Sequence, residues 1–228
     1  MSASTDLQIV FENEHFVVCD KQAGVLSTPS RHEDEDNRRC LGRELETHLG
    51  IQIFPVHRLD FEVSGLVLYA KNAEAHRKSN GWFENKTVSK TYSALSTGQE
   101  FSHIPVDIKV PRKILDLEMD ARFEWKCSIL RGKRRSYESP HGKPSLTIAT
   151  YKGREGKYHS WYLEPVTGRP HQLRFELSRH GFPIVGDKLY GSREDYKGAD
   201  TIALRAFKID FTNAPGAKDF GLPQIIEI

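Results

Sequence analysis

Little in this sequence points to a membrane, a disulfide framework or a bound metal. Its 228 residues include three cysteines, Cys19, Cys40 and Cys127. The number is odd and no C-x-x-C pair occurs, so neither a disulfide-built scaffold nor a zinc site is suggested. Such usage fits a reducing cytosol. The longest apolar stretch after a glycine, Leu66 to Ala70, falls far short of the roughly 20 residues a membrane helix needs. Met1 to Asp6 holds no basic residue and no apolar core of the kind a secretory signal requires. The expectation is a cytoplasmic, globular protein. The ten histidines lack metal-binding pattern: His57, His159, His171 and His180 do not show the paired helical spacing of a zinc protease, and no metal is expected. Neither Lys21 to Gly24 nor Gly181 to Gly191 has the glycine spacing of a dinucleotide or phosphate-binding loop, so no cofactor is expected.

What is present is core-forming material and an uneven charge. Hydrophobic residues make up 38% and aromatics 10%, too much for a disordered chain. The net charge of +2 neither demands nor excludes a polyanionic partner, so its distribution matters. Residues 33 to 36 read Glu-Asp-Glu-Asp, whereas 126 to 143 place Lys126, Arg131, Lys133, Arg134, Arg135 and Lys143 against Glu138 alone. Such a run is usually a solvated loop; with an RNA partner it would face phosphates.

The hydrophobic pattern indicates α+β structure with strands outnumbering helices and no internal repeat or clear linker. Leu7 to Val18 reads as two short strands joined by a tight turn at Asn13-Glu14-His15. Cys40, Leu41, Leu45 and Leu49 recur at helical spacing before Gly50. Leu66 to Ala70 is a buried strand, which puts Asp60 in the loop before it. Asn72 to Asn85 has a cap candidate and helical composition, and Lys90 to Leu95 returns to strand character. Arg112 to Pro144 reads as polar, with long loops. Leu146 to Tyr151 and Tyr158 to Leu163 form a hairpin around Lys152 to Gly156. Pro170 to His180 is a helix ended by Gly181, and Thr201 to Phe211 a late strand.

Several residues could carry chemistry. His57-Arg58-Leu59-Asp60 places a carboxylate beside two potential cations, which favour its ionised form and suit a nucleophile or electrostatic stabiliser. Taken alone, such an aspartate is more often a turn cap or part of a structural ion pair. Gly168-Arg-Pro-His-Gln-Leu-Arg174 gathers two guanidiniums, an imidazole and an amide. It could bind phosphate, neutralise a buried carboxylate, or simply be a solvated helix start. Lys90-Thr-Tyr92 could stack a ring on a base, although ordinary packing is the commoner fate of such a tyrosine.

Together these segments resemble a known family. His57-Arg-Leu-Asp60 followed by Ser64-Gly-Leu-Val-Leu-Tyr-Ala-Lys71 is similar to the H-R-L-D-x-x-T-S-G-L-L-L-x-A-K motif of the RluA-like pseudouridine synthases. Lys90-Thr-Tyr92 resembles the family's K-x-Y, and Gly168 to Arg174 its G-R-T-H-Q-I-R. Pro183 to Gly191 resembles P-I-x-G-D-x-x-Y-G, and Leu7 to Gly24 the first strand pair with its K-P-A-G loop. The resemblance spans roughly residues 7 to 211. Gln22, Val63 and Pro170 depart from the motifs where the family has proline, threonine and threonine.

The resemblance implies one two-lobed catalytic domain over residues 1–228, with a mixed, mostly antiparallel central sheet and a cleft between the lobes. The family often carries an extra N-terminal RNA-binding domain; here the matching motifs begin at Leu7, and no separate N-terminal RNA-binding domain is expected. Asp60 corresponds to the nucleophile, Tyr92 to the tyrosine that stacks on the target base, and Arg174 to the basic residue paired with the aspartate. Arg58 would hold the extruded nucleotide, with His57, Arg169 and Lys90 assigned to RNA binding beside it. Arg131, Lys133, Arg134 and Arg135 join that set as phosphate contacts. Leu204 falls in a segment like the family's L-H-A strand, whose leucine lines the base pocket; here Arg205 follows it. The implied reaction converts uridine in RNA to pseudouridine and needs no redox carrier or metal. The implied partner is RNA, ribosomal slightly ahead of transfer RNA, acted on by a monomer. A noncatalytic RNA-binding or chaperone protein on the same fold is the alternative. A glycoside hydrolase fits less well, because it normally uses two carboxylates and only Asp60 has motif support.

Overall fold

A computed structural model describes residues 7–30, 36–106, 108 and 110–228. In chain order its elements are β1 (Ile9–Glu12), β2 (Phe16–Lys21), α1 (Leu41–Leu49), β3 (Phe54–Pro55), β4 (Ser64–Ala70), α2 (Ala73–Glu84) and β5 (Ser89–Ser96). There follow β6 (Arg122–Arg131), β7 (Ser136–Glu138), β8 (Lys143–Glu155), β9 (Tyr158–Pro165), α3 (Gln172–Arg179), β10 (Leu204–Asp210) and β11 (Ile225–Glu227). The chain divides into two compact units, Met1–Ser89 with Ala206–Ile228, and Lys90–Arg205.

In the first unit, β1, β2, β4 and β10 lie side by side in that order, with β11 against β10 and β3 against the end of β4. The hairpin expected at Asn13 forms because its Oδ1 accepts from the amides of His15 and Phe16, both at 2.8 Å. β2 and β4 pair antiparallel, Phe16 opposite Ala70 and Lys21 opposite Gly65. α2 starts where its cap demands, with the Asn72 side chain accepting from Ala75 N–H. Its Trp82 packs among Phe16, Leu66, Leu68, Phe211 and Leu222, and the indole N–H donates to Pro215 O at 2.9 Å. α1 ends at Gly50, whose φ of 66° is the left-handed cap that glycine adopts without strain.

In the second unit, β5, β9, β8, β6 and β7 form a purely antiparallel ladder in that order. Here the reading of 112–144 as loop-rich is corrected. Residues 122–131 are a ten-residue strand in which Phe123, Trp125, Cys127 and Ile129 alternate with Arg122, Glu124, Lys126 and Ser128. Period-two alternation is the strand signal, but charged residues on the outward row gave the segment a loop-like composition. The β8–β9 hairpin is also longer than expected, its strands continuing past the bulge at Gly153 to a two-residue turn, Gly156-Lys157. Trp161, Tyr151, Phe182 and Trp125 make an aromatic core. α3, all eight residues of it buried, packs against this ladder.

Candidate active site

Asp60 sits in the loop between β3 and β4, half-buried. Its carbonyl accepts from Val63 N–H at 3.2 Å, closing a tight turn whose apolar flanks, Leu59 and Val63, are buried. The turn leads directly into β4 through Gly65. A Cβ at this glycine would lie 2.1 Å from the backbone oxygen of Ala206 on β10, so no other residue lets the two strands meet here.

Beneath the turn lies a buried lysine. Lys21, 1% exposed, donates from Nζ to the carbonyls of Val25 (2.7 Å), Gln22 (2.9 Å) and Phe61 (3.3 Å). Gly24 N–H donates to the same Phe61 carbonyl at 2.9 Å. Burial pushes the Lys21 amine down to about 8, opposed by the negative charges of Asp60 and Glu62. The loop resembling K-P-A-G is thus a bracket for the residue after Asp60, and Gln22 serves it through a main-chain carbonyl that any residue supplies.

The neighbours of Asp60 divide by exposure. His57 is engaged inside the unit: its Nε2 accepts from Leu68 N–H at 3.2 Å and its ring stacks on Phe83 at 5.2 Å. Arg58 is exposed. Arg38, which sequence reasoning did not single out, lies over the Phe61 ring at 4.8 Å.

The second unit carries the other motif residues. Tyr92 is buried on β5 opposite Leu163, with Lys90 half-buried two residues before it. Leu204 is buried at the start of β10. Arg174 lies on α3 at 2% exposure, and its Nε and Nη2 donate to the Oδ2 and Oδ1 of Asp187 at 2.7 and 2.9 Å. This two-point pairing is the geometry a guanidinium makes best with a carboxylate. Tyr190 lies under the same guanidinium, its ring centroid 5.4 Å from Cζ.

The Tyr190 hydroxyl is a junction. It accepts from Ser136 N–H at 2.7 Å and lies 3.1 Å from His171 Nδ1, while Ser136 Oγ donates to Pro170 O at 2.7 Å. Burial pushes this phenol up to about 12, so it stays protonated. Ser136 opens β7, so the β6–β7 turn, which presents Arg131, Lys133, Arg134 and Arg135 to solvent, is rooted against the segment that starts α3. Gln172 fastens that start to β8, donating to Leu146 O and Thr147 Oγ1 and accepting from Arg169 N–H. Arg169 itself donates from Nε to Pro144 O. Asp187 and Tyr190 were missed as site residues, although both stand in the Pro183 to Gly191 motif. Among the described residues no group of three or more His, Cys, Asp or Glu side chains gathers as a metal site would need.

Comparison with known proteins fits this arrangement. Residues 15–179 match the family model described as RNA pseudouridylate synthase. Two curated relatives from Vibrio vulnificus (strain CMCP6) are each 31% identical. "Dual-specificity RNA pseudouridine synthase RluA" aligns over 90% of this chain and 77% of its own length. "tRNA pseudouridine synthase C" aligns over 91% and 85%. The solved structure of human RNA Pseudouridylate Synthase Domain Containing 1 superposes with a TM-score of 0.67 at 25% identity, covering 92% of this chain and 80% of that one. With a family model matched over most of its length and relatives of this identity, the chain belongs to the RNA pseudouridylate synthases, isomerases that convert uridine in RNA to pseudouridine.

Proposed function

We propose that Asp60 is the group that begins the isomerisation, Tyr92 the ring that stacks on the target uracil, and Arg174 the cation that serves the aspartate. The observation that carries this reading is the Asp60 turn: the motif aspartate is held half-buried on a loop fixed from below by Lys21 and Gly24. The reaction breaks the bond from C1′ of the sugar to N1 of uracil, turns the base, and joins C1′ to C5. C5 gives up a proton and N1 gains one, so no atom is added or lost. The carboxylate can attack the sugar carbon or remove a sugar proton, and both routes require it. Because stacking in RNA shields the target, the nucleotide has to flip out, and an aromatic ring replaces the lost stacking.

Leu204 lines the base pocket in this reading. Arg58 holds the displaced nucleotide, and Lys90, Arg169 and the exposed turn Arg131, Lys133, Arg134 and Arg135 hold phosphates. His57, whose ring is already engaged with Leu68 and Phe83, serves by supporting Arg58 and Asp60. The substrate is ribosomal RNA ahead of transfer RNA, modified by a monomer in the cytoplasm. No helix among the described residues is long and apolar enough to cross a membrane.

The test replaces Asp60 by Asn, which keeps shape and removes the charge. Pseudouridine has the mass of uridine, so product is detected by chromatography or carbodiimide labelling. The wild type should form pseudouridine in RNA and Asp60→Asn should form none while retaining RNA affinity and the wild-type circular dichroism spectrum. Turnover by the variant would move the catalytic role to another residue. Pseudouridine maps of ribosomal and transfer RNA from cells with and without the protein identify the substrate.

A further inference from the structure

One hydroxyl grips the peptide that leads into Asp60. Ser27, 3% exposed, accepts at Oγ from Leu59 N–H at 3.0 Å and donates from the same oxygen to Leu59 O at 3.1 Å. The Leu59 carbonyl belongs to the peptide whose nitrogen is that of Asp60, so this pair of bonds fixes the peptide plane on which the Asp60 side chain is mounted. The peptide after Phe61 is fixed separately by Lys21 and Gly24. Asp60 is therefore clamped on both sides from the single stretch Lys21 to Ser27.

Ser27 is itself immobilised. Its carbonyl accepts from the buried Tyr69 hydroxyl at 2.7 Å, and Leu26 bridges to the start of α1, its N–H donating to Arg39 O and its carbonyl accepting from Leu41 N–H. Gly42 leaves room for this path, since a Cβ there would come within 3.2 Å of the Ser27 carbonyl. A hydroxyl satisfying both main-chain groups of one residue substitutes for strand pairing at a point where the chain is irregular.

We propose that Ser27 is a positioning residue for the isomerisation, setting the direction of the Asp60 carboxylate through the peptide between Leu59 and Asp60. This rests on Asp60 being the reacting carboxylate. Without the hydroxyl the turn keeps its fixing at Phe61 and its anchors Leu59 and Val63, so the fold persists while the carboxylate loses its aim. Misplacement on the order of an ångström costs about a hundredfold in rate.

The experiment compares Ser27→Ala, Ser27→Thr and Ser79→Ala in single-turnover assays on RNA, with RNA affinity and Tm measured alongside. Ser79 is a fully buried hydroxyl on α2 that donates to His76 O and is the control for a merely structural loss. Ser27→Ala should lose roughly ten- to a hundredfold in rate at saturating RNA with unchanged affinity. Ser27→Thr should regain most of that rate. Ser79→Ala, which also removes a buried hydroxyl, should keep the wild-type rate. Amide exchange at Leu59 should speed up in Ser27→Ala and not in Ser79→Ala, a readout independent of turnover. Wild-type rate in a folded Ser27→Ala, or an equal loss of rate in Ser79→Ala, overturns the role of Ser27. Pseudouridine formation by Asp60→Asn run in the same assay overturns instead the assignment of Asp60 on which that role depends.

Discussion

The two units hold their motif residues by different physics. In the first, Asp60 stands on a loop secured by hydrogen bonds to main-chain groups, with a single buried amine, Lys21, among the donors. In the second, Arg174 stands on a helix buried along its whole length and secured by ions. Arg174 pairs with Asp187, and Arg179 with Glu138 at 3.0 Å. Glu176, fully buried, accepts from Cys127 Sγ at 2.9 Å and lies 3.4 Å from Arg179. Main-chain bonds direct a side chain at little cost in desolvation. Buried charges direct one only while every partner is present, because removing one leaves the other in a medium that penalises it. The first unit should therefore lose function before stability when its clamps are cut, and the second should lose both together.

The largest effect expected of that difference is at Asp187. Replacing it by Ala removes one member of a pair that is 2% and 1% exposed, and such losses cost about 3–5 kcal/mol. Cutting the neutral clamp at Ser27 should cost about 1–3 kcal/mol. Urea unfolding of both variants checks the ranking. A sharper form replaces Arg174 by Met and Asp187 by Leu together. This double variant should be inactive yet more stable than Asp187→Ala, since apolar residues often replace a buried pair without loss. If Asp187→Ala is no less stable than Ser27→Ala, the contrast between the units fails.

The same contrast explains which features the sequence reveals. Local ones are legible: Asn13 and Asn72 hold their own neighbours' amides, Gly50 closes its own helix, and β4 is a run of apolar residues between turn residues. The family motif at Asp60 is legible because His57 to Asp60 is contiguous. What escaped is long-range. Ser27 meets Leu59 across 32 residues and Ser136 meets Tyr190 across 54, and no spacing rule links such pairs. β6 escaped for another reason, since its inward row, Phe123, Trp125, Cys127 and Ile129, is interleaved with charges that dominate the composition.

A smaller effect concerns pH, where the two units should respond at opposite ends of the scale. His180 stacks on Trp125 with ring centroids 4.3 Å apart and donates from Nδ1 to Glu176 O at 2.9 Å. Burial, aided by the charge of Arg179, pushes it down to about 4 from 6.5. Below pH 6.5 the unfolded chain takes up a proton that the folded chain refuses until about 4, so this contribution to stability is lost as pH falls across that window. The magnitude is on the order of 2–3 kcal/mol. Glu176, raised by burial, opposes it, because there the folded chain takes the proton first. A difference curve between wild type and His180→Gln isolates the histidine, and the wild type should lose more between pH 6.5 and 4. Lys21 acts above neutrality. With its amine near 8 against 10.5 in the unfolded chain, the unfolded state holds the extra proton, and its contribution rises with pH between those values. Parallel curves for wild type and His180→Gln in acid would remove the histidine from the account.

The smallest effect on the fold, and the one that separates buried from exposed charge, is expected at the β6–β7 turn. Arg131, Lys133, Arg134 and Arg135 are all exposed, and the turn is closed by Gly132 N–H donating to Arg135 O at 3.0 Å and by Arg131 Nη1 donating to Arg134 O at 2.8 Å. Its base is held by Ser136 and Tyr190, which the four side chains do not supply. Replacing all four with Gln should shift Tm by no more than a few degrees, since each exposed substitution usually stays within about ±0.5 kcal/mol. The same change should weaken RNA binding. Each phosphate contact releases condensed counterions, so the dependence of log affinity on log salt should flatten by up to about 0.7 per lost contact for single-stranded RNA. Turnover of a saturating minimal substrate should survive, because Asp60 and Arg174, the residues proposed for the chemistry, are untouched. Binding of full-length RNA with the wild-type salt slope would make this turn a solvated surface and move phosphate recognition to Arg58, Lys90 and Arg169.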